Sequence, residues 1–179
     1  MQAVLVSGDP NNLTLIMQVI LLDWIRLNQP EIIMKRTDIK SHCPVNFTLE
    51  TVGDPWSLLI LRDIVFFDKH TFKEFLGSSE RITTSVLTSR LASLEAQGVL
   101  SKHPHPTDQR SAIYSLTEKG LGLVPMMLCM MEWGTSHDPD SMGHRKKELV
   151  ERIQAEQSAL SREIQDNLRN GGSIFGPLK

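Results

Sequence analysis

Long apolar runs, cysteines and a basic excess are all scarce in this chain of 179 residues, and each scarcity removes a class of protein. The most apolar stretch, Leu13 to Ile25, is interrupted by Gln18 and Asp23 and is too short to span a bilayer. Met1 to Asn12 carries no positive charge, so a secretory leader has no n-region to start from. Two cysteines, Cys43 and Cys129, cannot build a disulfide scaffold, and together with the missing leader they place the chain in a reducing cytoplasm. The six histidines show no metal-ligand spacing with cysteines or carboxylates. No glycine-rich phosphate loop, nucleophile elbow or paired-carboxylate site is found, so neither an enzyme nor a cofactor is expected.

Net charge is −2, which excludes a globally basic chain. Its distribution is more informative. Of the windows 1–33, 34–80, 81–120 and 121–179, only 81–120 has a positive balance, with five basic and three acidic side chains, and it also includes His103 and His105. A local cationic surface is what nucleic acid requires, whatever the total charge.

The segment ITTSVLTSRLASLEAQG, Ile82 to Gly98, lies within that stretch. Val86, Leu87, Leu91 and Leu94 recur at helical spacing as an inner stripe, and Gly98 ends the helix. Thr83, Thr84, Ser85, Thr88, Ser89 and Arg90 project elsewhere, with no acid until Glu95. A buried stripe backed by hydroxyls and arginines suits a helix that enters the major groove. Thr83, Thr84, Ser85 and Thr88 would approach base edges or phosphates, Ser89 lies on the same polar face, and Arg81 and Arg90 would contact the backbone. The alternative is the solvated face of an ordinary amphipathic helix.

The flanking elements give the fold. Pro44 opens a short helix stopped by Gly53. Asp54 then caps a second, with Pro55 in its first turn and Trp56, Leu59, Ile60, Ile64 and Phe67 as core. A short extended piece at Thr71-Phe72 leads into a small helix, FKEFLGSS. After Gly98, Val99 to His103 and Ala112 to Leu116 pair as a hairpin around the turn-rich PHPTDQRS. A helix follows from Leu121 to Trp133, then a linker, then an amphipathic helix from His144 to Asn170 with Leu149, Ile153, Leu160, Ile164 and Leu168 on one stripe. The fold class is mainly α with a small β-hairpin wing, a winged helix-turn-helix with flanking dimerisation helices. Three regions follow: 1–40 an N-terminal extension, 41–136 the winged helix domain, and 137–179 a linker and C-terminal helix. Met34 reads as a natural translation start, which makes the extension an over-long reading frame; the alternative is a helix docking on a dimer.

In these pieces the chain resembles the HxlR-type winged helix regulators of bacteria, a branch close to the MarR type. The resemblance rests on Cys43 to Val45, GDPWSLLILRDI from Gly53, TFKEF from Thr71, Ile82 to Leu100, YSLTEKG from Tyr114 and EWG from Glu132, in family order over roughly half the chain. It implies a cytoplasmic homodimer that binds double-stranded DNA at a pseudo-palindromic operator. Dimerisation would use the first helix and the one ending at Trp133, with the C-terminal helix as a further candidate. Two departures stand out. Ser85 replaces a residue that is often basic in the family, and the wing sequence TDQR resembles the MarR-type Asp-x-Arg, implying that Arg110 enters the minor groove beside its aspartate.

Cys43 precedes Pro44, at the N-cap, where a helix dipole stabilises a thiolate. The resemblance adds that several relatives sense electrophiles or oxidants with a cysteine here; the alternative is a small residue packed in the dimer interface. Cys129, on the Met-rich helix, is expected to be buried and inert. That Met-rich run, Met126 to Gly134, reads as interface packing rather than the lining of a small-molecule pocket. His105, on the wing, would meet a phosphate rather than a metal. The rival function is a winged helix protein-interaction module that does not read DNA.

Overall fold

The computed structural model describes residues 41–108 and 110–172. The extension predicted over 1–40 lies outside them. Helix α1 (Pro44–Val52) starts at Pro44, with Cys43 as its extended N-cap residue, and buries only Thr51 and Val52. Helix α2 (Pro55–Phe67) is capped by the Asp54 carboxylate, which accepts the Ser57 amide at 3.0 Å. It ends at Asp68, in the left-handed conformation with φ 55°. Ile60, Leu61, Ile64 and Val65 anchor α2 in the core, whereas Trp56 and Leu59 are half-buried. Phe67, expected in the core, is 38% exposed at the last turn, where the guanidinium of Arg62 and the ammonium of Lys69 lie over its ring.

The helix-turn-helix comprises α3 (Phe72–Leu76) and α4 (Thr84–Ala96). A capping box starts α3: the Glu74 carboxylate accepts the Thr71 amide at 2.8 Å while the Thr71 hydroxyl accepts the Glu74 amide. The Thr83 hydroxyl caps α4 by accepting the Val86 amide. Leu87, Leu91 and Leu94 are fully buried as the periodicity predicts, and Val86 is half-buried. Gly98 takes φ +66°, a left-handed turn that lets the Val99 amide bond back to the Leu94 carbonyl at 2.9 Å.

Strands β1 (Leu100–Pro104) and β2 (Ala112–Leu116) pair antiparallel, Leu100 opposite Leu116 and Pro104 opposite Ala112. Thr71 bridges to Ile113 at their edge, and the Tyr114 amide donates to the His70 carbonyl at 2.8 Å. The hairpin is thereby tied to the segment that opens the helix-turn-helix. The motif YSLTEKG acts as a clamp on the far side. The Thr117 hydroxyl donates to the Gly98 carbonyl at 2.6 Å, and Lys119 donates to the Gln97 carbonyl at 2.7 Å. A Cβ at Gly120 would collide with the Val99 carbonyl oxygen, so only glycine permits this approach.

The helix expected from Leu121 to Trp133 is two pieces, α5 (Glu118–Leu121) and α6 (Val124–His137). Thr117 caps the first, and Pro125 sits in the first turn of the second, where its missing N–H costs nothing. A 3₁₀ turn (Met142–Lys146) leads into α7 (Lys147–Arg169). Leu149, Ile153, Leu160 and Ile164 of α7 are buried in the same core as α6, and Leu168 packs at its edge. Gln165 donates to the Leu121 carbonyl and Arg169 forks onto the Glu118 carboxylate. The C-terminal helix is therefore packed on its own chain through the apolar stripe foreseen for it. Cys129 is corrected from buried to exposed: it lies at the edge of the α6–α7 seam, where Gln157 reaches its sulfur.

Candidate nucleic-acid interface

Burial of Leu87, Leu91 and Leu94 fixes the rotation of α4 and turns the opposite side of the helix to solvent. Thr84, Ser85, Thr88, Ser89 and Ala92 are all exposed and form one continuous face over its first two turns. The Thr88 hydroxyl donates to the Thr84 carbonyl at 2.8 Å, and the hydroxyls of Thr83 and Ser85 lie 3.3 Å apart. A hydroxyl oxygen bonded in this way keeps lone pairs with which to accept a further bond. The face therefore offers hydroxyls and no charge.

Arg90 is on the opposite flank. Its Nε lies 3.2 Å from the Asp54 carboxylate, the group that caps α2. The arginine expected on the DNA backbone thus pairs with α2's capping carboxylate, bringing α4 against α2. The periodicity could not reveal this, because the partner is 36 residues away in sequence.

Cations near the recognition surface come from elsewhere. Arg81 is exposed at the turn before α4, in the left-handed conformation with φ 57°, its amide bonded to the Ser78 carbonyl. Such a conformation costs a non-glycine residue on the order of 1 kcal/mol and persists where the surrounding turn imposes it. On the wing, Arg110 is exposed, and its backbone amide, not its guanidinium, is what the Asp108 carboxylate holds at 3.0 Å. His105 is half-buried, with Nδ1 accepting the amides of Thr107 and Asp108 at 3.3 and 3.1 Å. Through this nitrogen it shapes the wing tip. Lys102 was missed by sequence reading: it is exposed on β1, with its ammonium 5.8 Å from the centre of the Tyr114 ring. A lone lysine in the strand leading to a basic loop was the available signal.

The turn between α3 and α4 is held by a charged cluster that the sequence also concealed. Asp63 is 2% exposed and receives Arg62, Lys69 and the Ser78 hydroxyl. Arg62 continues to Glu80 through two bonds, at 2.5 and 3.0 Å. The Arg62 guanidinium holds the Glu80 carboxyl down to a pKa of about 2. Burial works against the charge on Arg62, but the bonds to Glu80 and Asp63 outweigh it and raise its pKa. Thus α2 pins Ser78 and Glu80 on either side of Ser79, and the turn presents Arg81 and the start of α4 in one fixed orientation.

Comparison with known proteins decides the family. The HxlR-like helix-turn-helix profile matches residues 51–142. The chain belongs to this family. The HxlR-like segment accordingly contains α2 through α6, the helix-turn-helix and the wing. Among its relatives is the HTH-type transcriptional regulator YybR of Bacillus subtilis strain 168, 35% identical over 62% of this chain and 88% of YybR. YdeP of the same strain, also an HTH-type transcriptional regulator, is 31% identical over 65% of this chain and 84% of its own. The crystal structure of PA1607 superposes with a TM-score of 0.52 at 34% identity, covering 57% of this chain and 71% of that one. This HxlR-like chain has no group of three metal-ligating side chains among the described residues, and no described helix is long and apolar enough to cross a membrane.

Cys43 is exposed at the N-cap of α1, as the Pro44 start implied. No side-chain cap bond forms there. Around it, α1 exposes Val45 at 64%, Phe47 at 53% and Leu49 at 61%.

Proposed function

We propose that this HxlR-like protein is a homodimeric regulator of transcription that reads double-stranded DNA. The observation that carries the reading is the uncharged hydroxyl face of α4, Thr84, Ser85, Thr88 and Ser89, in a domain that also exposes the cations Arg81 just before α4 and Arg110 on the wing. Hydroxyls of this kind accept from or donate to base edges, while the arginines supply the salt-sensitive attraction to phosphate. We assign Arg90 to holding α4 through Asp54, and Thr83 to capping α4 while its exposed hydroxyl can still accept a bond.

Dimerisation is supported by α1. A helix that leaves Val45, Phe47 and Leu49 in water is stabilised when a second copy covers them. A two-fold dimer would present two α4 helices to successive major grooves of a pseudo-palindromic operator. Cys43, on the same helix, is the candidate through which an oxidant or electrophile would reach that interface; a Cys43→Ser protein that keeps its full response to such reagents would remove this role. Selection of bound fragments from a genomic pool tests the function. Enrichment of an inverted repeat supports it, and recovery of unenriched fragments would leave the fold as a protein-interaction module.

A further inference from the structure

Between α2, α6 and the 3₁₀ turn runs an open groove of about 680 Å³ that the recognition of DNA does not use. Leu58, Phe66, Met127 and Met131 supply its apolar walls, and Phe66 and Met127 belong to the buried core beneath. Gly134 leaves a gap in the α6 wall, since a Cβ placed there meets nothing within 4 Å. The charged residues that line the groove are Arg145, Lys146 and Arg62, the last already bonded to Asp63 and Glu80 behind it; no carboxylate is among the lining residues. Its volume falls in the range that holds small organic ligands, on the order of 300–1,000 Å³. Methionine walls adapt to ligand shape at little cost.

We propose that this groove binds an amphiphilic organic anion, an alkyl or aryl body carrying a single acid group. The body replaces water on the methionine and phenylalanine walls, and the acid group meets the guanidinium and ammonium groups, with charge-assisted bonds that a neutral analogue cannot make. The charge balance selects this occupant over an acid-free lipid or a cationic ligand. It also connects the groove to the helix-turn-helix, a consequence that rests on the regulator reading. Arg62 both lines the groove and holds Glu80, which lies next to Arg81 in the turn before α4. An anion that draws on Arg62 competes with Glu80 and loosens the turn that aims α4.

Calorimetric titration with dodecanoate below its micelle concentration, with dodecanol as the neutral control, tests the site on the full chain without DNA. The expected result is one saturable site per chain, with dodecanoate tighter than dodecanol by about tenfold or more. Gly134→Leu, whose Cβ meets nothing within 4 Å, should abolish binding by filling the gap, and R145E/K146E should erase the preference for the acid; circular dichroism verifies that both variants are folded. Absence of saturable binding, equal binding of dodecanol, or full binding by Gly134→Leu would overturn the proposal. A stable dimer mass with no dodecanoate uptake would give the groove to a second copy, which also overturns it. Failure of the protein to bind DNA would sink the regulator reading alone, since the titration contains none.

Discussion

Two sets of charges lie within a few residues of each other and are treated in opposite ways. In the cluster around Asp63 every charge is met: Arg62, Lys69 and Ser78 converge on one buried carboxylate, and Arg62 extends to Glu80. On the recognition side the helix face has hydroxyls and no charge, and Arg81, just before α4, and Arg110, on the wing, are exposed. The first set is structural: its bonds set the angle of the turn. The second is held in place by backbone bonds, Arg81 through Ser78 and Arg110 through Asp108, leaving the guanidinium groups to solvent. Orientation and attraction are thus assigned to different residues.

The largest test of this division is Asp63→Ala. Removing the buried carboxylate leaves Arg62 and Lys69 without their common partner, and urea denaturation should register a loss of about 3 kcal/mol. A loss near zero would mean that the cluster does not hold the turn. Ser85→Arg works from the other side by adding a cation to the neutral face of α4. DNA affinity at low salt should rise by about tenfold and the salt slope should steepen by about one. No change would show that this face is not against phosphate.

Smaller effects separate the two sets by pH. Because the folded-state pKa of Glu80 is about 2, below the ordinary carboxylate value of 4.5, its contribution is complete above about pH 4.5 and is lost as the pH falls towards 2. The stability gap between wild type and Glu80→Gln should follow that window. It should stay under about 1 kcal/mol, because solvent reaches a third of the Glu80 side chain. Arg90→Ala should be smaller still, about 0.5 kcal/mol, since the ion pair with Asp54 is partly exposed.

The elements legible in the sequence are those with local causes. Asp54 and Pro55 mark the start of α2, Thr83 and Gly98 bracket α4, and Thr117 with Gly120 marks the clamp after the wing, each through a cap or a turn that a few neighbouring residues decide. What was hidden depends on partners distant in sequence. Asp63 sits three residues after Ile60 and so falls on the buried stripe, yet its neutralisation by Ser78 and Lys69 shows only in three dimensions. Arg90 has the spacing of an outward residue until Asp54 is placed beside it. Cys129 was assigned to an apolar interior because its neighbours are methionines, but α7 covers the α6 seam to one side of its sulfur. The hydroxyl face of α4 was readable because rotation of a helix about its buried leucines is a local matter.

The most direct measurement is the dependence of log affinity on log salt for a selected DNA fragment, comparing wild type with Arg81→Ala, Arg110→Ala and Arg90→Ala. Wild type should lose affinity linearly as salt rises, Arg81→Ala and Arg110→Ala should each flatten the slope by about one, and Arg90→Ala should leave it unchanged. A flat wild-type line, or an Arg90→Ala effect equal to that of Arg110→Ala, would contradict the division between charges that hold the helix and charges that hold DNA.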